Sequence, residues 1–429
     1  MSDKQRPTGP GHRGWAEHAI WWHVYPLGFT GAPIRDADPA VEAGEIVHRL
    51  RALIPWLDHL VELGANGLLL GPIFASEHHG YDTVDHFRID PRLGDDEDFD
   101  ALVAACRERG IRILLDGVFN HVGAGHPALL SALEHGRDDP RAGLFSIDWS
   151  EPSDPRPSFF EGHSGLVELD HAGEAAAELV GEAMRHWLRR GADGWRLDAA
   201  YSVDPSFWAR VLPGVREEFP DAWFLGEVIH GDYAQIARDG QLDSVTQYEL
   251  WKAIWSSLVD RNFFELAWAL ERHGEWVAEF APQTFVGNHD VTRIATLVGE
   301  DKAVLALAAL MTVGGVPSIY AGDEFAYQGE KLEQEGGDDQ VRPVFPESRA
   351  GIALGEWMLR EHQALIALRR RSPWLVRARV EQLELENERF RYRASDPDGE
   401  GALEVELSLA DGASVVIRDR DGAELYRFG

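Results

Sequence analysis

Short apolar runs alternate with longer stretches in which hydrophobic residues recur every three to four positions, and the alternation runs through most of the chain. The short runs predict strands at Ile20–Tyr25, Gly67–Leu70, Ile111–Asp116, Gly194–Asp198, Trp223–Glu227, Asp243–Gln247, Thr284–Asn288 and Pro317–Ala321. Between them the helical period predicts helices such as Asp98–Arg109, which Gly110 stops, Glu174–Arg190 and Asp301–Val313. Eight strands alternating with helices predict a parallel α/β barrel, whose chemistry sits at the C-terminal ends of the strands. Asp116, Asp198, Glu227 and Asn288 end four of the predicted strands. An open doubly wound sheet is the alternative, and no G-x-G-x-x-G follows an early strand to favour it.

Two stretches break the alternation. From Asp116 to Asp198 is 82 residues, against 29 from Asp198 to Glu227. The excess, residues 122–165, is rich in Pro, Gly, His and Asp and reads as an insertion. After Ser372 come short alternating strands, Val380–Leu385, Phe390–Tyr392, Ala402–Leu409, Ser414–Val416 and Ala423–Phe428. Asp398-Gly399, Asp411-Gly412 and Asp421-Gly422 supply turns between them. The predicted organisation is a flexible leader (1–14), a barrel (15–121 and 166–371), an inserted domain (122–165) and an antiparallel C-terminal β domain (372–429).

The chain has 429 residues, 44% of them hydrophobic and 10% aromatic, enough for a large barrel with an appendage. Asp plus Glu number 73 against 41 Lys plus Arg, a net charge of −32. Such a surface repels phosphate backbones and anionic lipid, so nucleic acid and membranes are poor partners. No apolar run reaches the ~20 residues that span a bilayer, and no signal peptide is evident, so a cytoplasmic protein is expected. The one cysteine, Cys106, lies in a helical run and reads as a buried filler; it excludes an internal disulfide and a cysteine-built zinc site.

Four segments in order resemble the conserved regions of the α-amylase family (glycoside hydrolase family 13). They are Asp116-Gly-Val-Phe-Asn120-His121, Gly194-Trp-Arg196-Leu-Asp198-Ala199-Ala200, Gly226-Glu227-Val228 and Phe285-Val-Gly-Asn288-His289-Asp290. Weaker segments flank them, including His79-Gly-Tyr81-Asp82-Thr-Val-Asp85, Val167-Glu-Leu-Asp170 and Gly314-Gly-Val-Pro317 through Glu324. The resemblance covers residues 20–330. It implies a (β/α)8 TIM barrel with a small inserted B domain after strand three and a C-terminal β-sandwich.

Retaining cleavage of a glycosidic bond needs one carboxylate to attack the anomeric carbon and a second to protonate the leaving oxygen. Asp198 and Glu227 end neighbouring strands and are placed for this. The resemblance assigns Asp198 as nucleophile, Glu227 as general acid/base, and Asp290 as the group that holds the sugar hydroxyls. Arg196 lies two residues before Asp198, so on a strand both side chains share a face. A guanidinium there keeps Asp198 ionised and oriented. His121 and His289 are expected to donate to substrate hydroxyls, Tyr81 to stack on a sugar face, and Asp82 to join the binding set. His78 and His79, adjacent on an extended chain, point oppositely and do not make a metal pair. The aromatic run from Tyr248 to Trp268 reads chiefly as packing, and the acidic stretch Glu330–Asp339 as a solvated loop after strand eight.

The sequence departs from the family at two places. Many members carry Lys-His shortly after the nucleophile, where this chain reads Ala199-Ala200-Tyr201. Asn120 matches a calcium ligand of many α-amylases, but the short insertion does not clearly supply the other oxygens; no cofactor is required, and calcium stays possible. In related members a small residue after the nucleophile, here Ala199, accompanies α-1,4 cleavage. The expected substrate is therefore a carbohydrate: α-1,4-linked malto-oligosaccharides or small cyclic glucans, as in intracellular members of the family. A glucosyl transferase or isomerase of the same family is the alternative, and a non-catalytic sugar binder a more distant one.

Overall fold

A computed structural model describes residues 14–429 except 152 and 335; the predicted leader lies outside the described residues save Gly14. All eight predicted barrel strands form: β1 (Trp21–Val24), β2 (Gly67–Leu70), β3 (Arg112–Gly117), β4 (Gly194–Leu197), β5 (Trp223–Gly226), β6 (Ser244–Val245), β7 (Gln283–Phe285) and β8 (Val316–Tyr320). They pair in parallel in the order 6-5-4-3-2-1-8-7. A parallel bridge from Thr246 to Gln283 joins the two ends, so the sheet closes into a (β/α)8 barrel. β6 is shorter than predicted because its flanks turn to other partners. The Asp243 carboxylate accepts from Phe224 N at 2.9 Å, and Gln247 caps the next helix through Leu250 N at 3.1 Å.

The strand alternation divides the interior. Trp21, Leu69, Leu114, Trp223, Leu225 and Val316 form one buried cluster inside the barrel, while Trp22, Leu68, Ile113, Trp195 and Phe224 face the helices. Trp21 stacks on Trp223 at 5.6 Å. Gly67 leaves the room for this: a Cβ there would lie 2.4 Å from the Trp21 ring. Two residues further along the strands the same inward face turns polar, presenting His23, Asp116 and Arg196, with Asp198 and Glu227 at the strand ends. The apolar floor thus fixes the height of a polar rim.

Helix Glu174–Arg190 has the predicted bounds, ending in Gly191 at φ 117°. Asp96–Glu108 begins with a capping box from Asp95 and buries Cys106, whose thiol burial pushes up to about 12. The insertion leaves and rejoins the barrel through an antiparallel pair, His121–Gly123 with Leu166–Glu168, which holds its neck. A second excursion, not singled out in the sequence, is the hairpin Phe74–Ser76/Thr83–Ile89 after β2.

At the C-terminus, β9 (Arg379–Leu385), β10 (Arg389–Ser395), β11 (Ala402–Ser408), β12 (Ser414–Asp419) and β13 (Glu424–Phe428) form one antiparallel sheet in sequence order. The expected antiparallel domain is present, with one correction. The layer facing this sheet is helical, not a second sheet. Tyr392 Oη lies 2.6 Å from Thr312 Oγ1 on helix Glu300–Thr312, and Trp357 on helix Glu356–Arg371 stacks on Phe428. Among the described residues no helix is long and apolar enough to cross a membrane.

Candidate active site

The register of β3, β4 and β5 builds the centre of the site. Arg196 pairs with Asp116 across β3–β4 and with Leu225 across β4–β5, so its side chain stands between the neighbouring strands' inward residues. One guanidinium then serves three carboxylates. Arg196 Nη1 donates to both Asp116 oxygens (2.7 and 2.6 Å) and to Asp198 Oδ1 (3.2 Å), and Nη2 donates to Glu227 Oε1 (2.5 Å). All four residues are buried. Ala199 takes a left-handed conformation (φ 46°), which turns its N–H back to donate to Glu227 Oε2 at 3.0 Å. Tyr248 donates its hydroxyl proton to Glu227 Oε1 (3.2 Å), and Asn288 Nδ2 donates to that hydroxyl (2.9 Å).

Asp290 faces this group from beyond β7, with a side chain 31% exposed. Asn288 Oδ1 accepts from its N–H, His289 Nε2 lies 2.9 Å from Oδ2, and Arg342 Nη2 donates to Oδ1 at 2.8 Å. Arg342 also donates to the His289 carbonyl and lies over the Tyr25 ring at 4.6 Å. Tyr81 links the two halves. Its hydroxyl donates to Asp116 Oδ2 (3.1 Å) and contacts His289 Nε2, while its ring stacks on His289. Tyr25 stacks on His289 as well, at 5.9 Å.

The electrostatics follow from this crowding. Burial, then the charge of Glu227, raises Asp198 well above the ordinary carboxylate range, with Arg196 opposing. Burial raises Asp116 too, again against Arg196. Asp198 and Asp116 therefore each keep a proton to a higher pH than an exposed aspartate does. Asp290 behaves oppositely. Burial works against its charge, but His289 and then Arg342 outweigh this and hold it well below the usual range.

The structure gathers Asp198, Glu227, Asp290, Arg196, His289 and Tyr81 into one network of hydrogen bonds and ion pairs, joined through Asp116. It turns two other predicted binding residues toward the protein. Asp82 is buried, with Oδ2 on His78 Nδ1 (2.8 Å) and Oδ1 accepting from His79 N (3.2 Å), so it closes its own turn. His121 has both ring nitrogens occupied, Nε2 by the Tyr81 carbonyl (3.0 Å) and Nδ1 by Asn120 Nδ2 (3.1 Å). Burial lowers its pKa to about 4, so the neutral ring anchors the Tyr81 turn. Asn120 turns its side-chain Nδ2 to His121 Nδ1, and its backbone carbonyl accepts from Leu169 N. Among the described residues, the one group of three His, Cys, Asp or Glu side chains close enough to share a metal is His48, Asp95 and Asp98.

Tyr248 and Arg342 were not read as site residues from the sequence. Tyr248 was hidden in an aromatic run. Arg342 follows the acidic stretch, which is more than a solvated loop. Asp338 Oδ2 lies 3.1 Å from Arg342 Nη2, and the loop walls a cleft of about 450 Å³ with His78, His79, Tyr81 and Arg342.

Comparison with known proteins accords with this geometry. The family described as "Alpha amylase, catalytic domain" matches residues 40–348. The maltogenic α-amylase of Bacillus acidopullulyticus is 33% identical over 339 residues, covering 73% of this chain and 57% of that protein. The intracellular maltogenic amylase of Bacillus subtilis is 30% identical over 338 residues, covering 74% and 57%. This chain thus spans less than two thirds of the length of these relatives. Among solved structures, the cyclic α-maltosyl-(1→6)-maltose hydrolase of Arthrobacter globiformis superposes with a TM-score of 0.80 at 26% identity, over 96% of this chain and 98% of that one. The chain belongs to the α-amylase family.

Proposed function

We propose that the protein is a retaining glycoside hydrolase that cleaves α-1,4-glucosidic bonds in malto-oligosaccharides or small cyclic glucans. The observation that carries this reading is the pair Asp198 and Glu227, held by the two ends of one guanidinium with Asp290 opposite. In a retaining enzyme the two carboxyl groups lie roughly 5–5.5 Å apart, and a shared guanidinium favours such closeness. Asp198, as the carboxylate, attacks the anomeric carbon while Glu227, carrying the proton, passes it to the leaving oxygen. Glu227, now a carboxylate, takes a proton from water, whose oxygen displaces Asp198 and regenerates both groups. Asp290, kept ionised by His289 and Arg342, accepts hydrogen bonds from the sugar hydroxyls and favours the cationic transition state.

The names of the relatives support the substrate class, and Ala199 leaves room beside Asp198 that a β-branched residue would fill. We place the activity in the cytoplasm, as with the relative named intracellular. The test is product analysis on maltotriose to maltohexaose, cyclodextrins, isomaltose, trehalose, sucrose and starch. The linear and cyclic α-1,4 glucans should give the highest specificity constants. Higher values for isomaltose or polymeric starch would overturn the substrate assignment and leave the catalytic one standing.

Arg342 offers a separate check. Removing a cation that holds Asp290 below its usual range lets its pKa rise. In Arg342→Gln the acid limb of kcat/KM should therefore shift to higher pH, since Asp290 must be ionised to act. An unmoved limb would remove Arg342 from this role.

A further inference from the structure

The rim just beyond Asp198 and Glu227 is where the sugar protonated by Glu227 departs, and no Lys-His pair stands there to hold it. The first large side chain after the nucleophile is Tyr201. Three separate stretches converge on it. Its N–H donates to the Glu227 carbonyl at 3.2 Å, which ties it to the acid/base loop. Its hydroxyl donates to Glu161 Oε1 at 2.9 Å, in the inserted segment. Its ring packs against His230, three residues past Glu227, with centroids 5.0 Å apart.

The inserted segment is itself fixed at this point. Phe160 stacks on His121 at 4.7 Å and 14°. Glu161 adopts φ 51° and ψ 24°, a left-handed conformation that a glutamate keeps only where surrounding contacts over-determine it. The Phe160–His121 stack and the Glu161–Tyr201 hydrogen bond are such contacts. Burial, then Glu161, then Glu227 raises the pKa of the Tyr201 hydroxyl, so it stays protonated and keeps donating. Phe159 and Ile229, next to Phe160 and His230, are large apolar side chains left 38% and 41% exposed. The rim beside the acid/base therefore presents aromatic and apolar surface.

We propose that Tyr201, hooked by Glu161 and backed by His230, is a specificity-determining shelf for the leaving-group sugar, taking a glucosyl unit by stacking on its ring. The inference rests on the hydrolase reading above. It makes the insertion part of substrate selection, because Glu161 sets the angle of the ring.

The test compares two substrates sharing a donor sugar, maltotetraose and α-maltosyl fluoride. The second has no leaving-group sugar to bind. The ratio of kcat/KM for maltotetraose to that for the fluoride should fall about fivefold in Tyr201→Ala, and by about two- to threefold in Tyr201→Phe and Glu161→Gln. The latter two variants keep the packing and guard against a folding defect in the first. A structural role alone would lower both substrates together, and an unchanged ratio in all three variants would overturn the proposal. If the unaltered enzyme turned over neither substrate, the hydrolase reading itself would fall, and the shelf with it.

Discussion

Asp198→Asn should lower kcat on maltotetraose by about 10³-fold or more while the protein stays folded, because an amide cannot form the glycosyl ester. Glu227→Gln should give a loss of similar order on sugar leaving groups, which need its proton, and a smaller loss on α-maltosyl fluoride, whose leaving group does not. Stability should move the other way in Asp198→Asn. The folded state raises the pKa of Asp198 above its unfolded value, so its ionisation costs stability above the unfolded pKa and the cost is fully present once pH exceeds the folded one. The asparagine lacks that cost, so the variant should resist urea at least as well as the parent near pH 8, with the difference shrinking in acid. Near-normal turnover in either variant would overturn the role assignment.

The second large effect lies with Arg196. Replacing it by Met leaves Asp116, Asp198 and Glu227 buried without their common cation. Removing one partner of a buried ion pair typically costs about 3–5 kcal/mol, because the remaining charge stays out of water. Arg196→Met should therefore lose both activity and stability. The stability loss should be greater at pH 8 than at pH 5, since the orphaned carboxylates can take up protons in acid. Arg196→Lys keeps the charge but has one nitrogen where three carboxylates need a fork, and it should fall between. Urea midpoints at the two pH values decide the matter; a midpoint unchanged in Arg196→Met would contradict the shared-cation account.

Much of the fold is legible along the chain because the short strands are buried and bounded. β2 and helix Glu174–Arg190 have the bounds that their apolar runs and terminal glycines imply. The polar rim was legible where a motif places a residue at a strand end, as with Asp198, Glu227 and Arg196. It was less so away from the strand ends. Asp82 and His121 lie in motifs beside rim residues, yet Asp82 closes its own turn through His78 and His79, and His121, in the pair that necks the insertion, turns its ring to the Tyr81 carbonyl and Asn120. Arg342 lies 52 residues from Asp290 on a segment without periodicity, so nothing local signals that they meet. Tyr248 heads a helix whose aromatic residues mostly pack, and only contact with Glu227 separates it from Trp251 and Trp255. The helical cover of the C-terminal sheet was hidden for a related reason. Alternation marks one face of β10 and β11 as buried without naming the layer that buries it.

The central claim, double displacement through Asp198, is tested most directly by proton NMR of maltotetraose cleavage in its first minutes, before mutarotation. Two inversions at the anomeric carbon require the α-anomer to appear first. Initial release of the β-anomer would mean a single displacement by water and would remove Asp198 as the nucleophile.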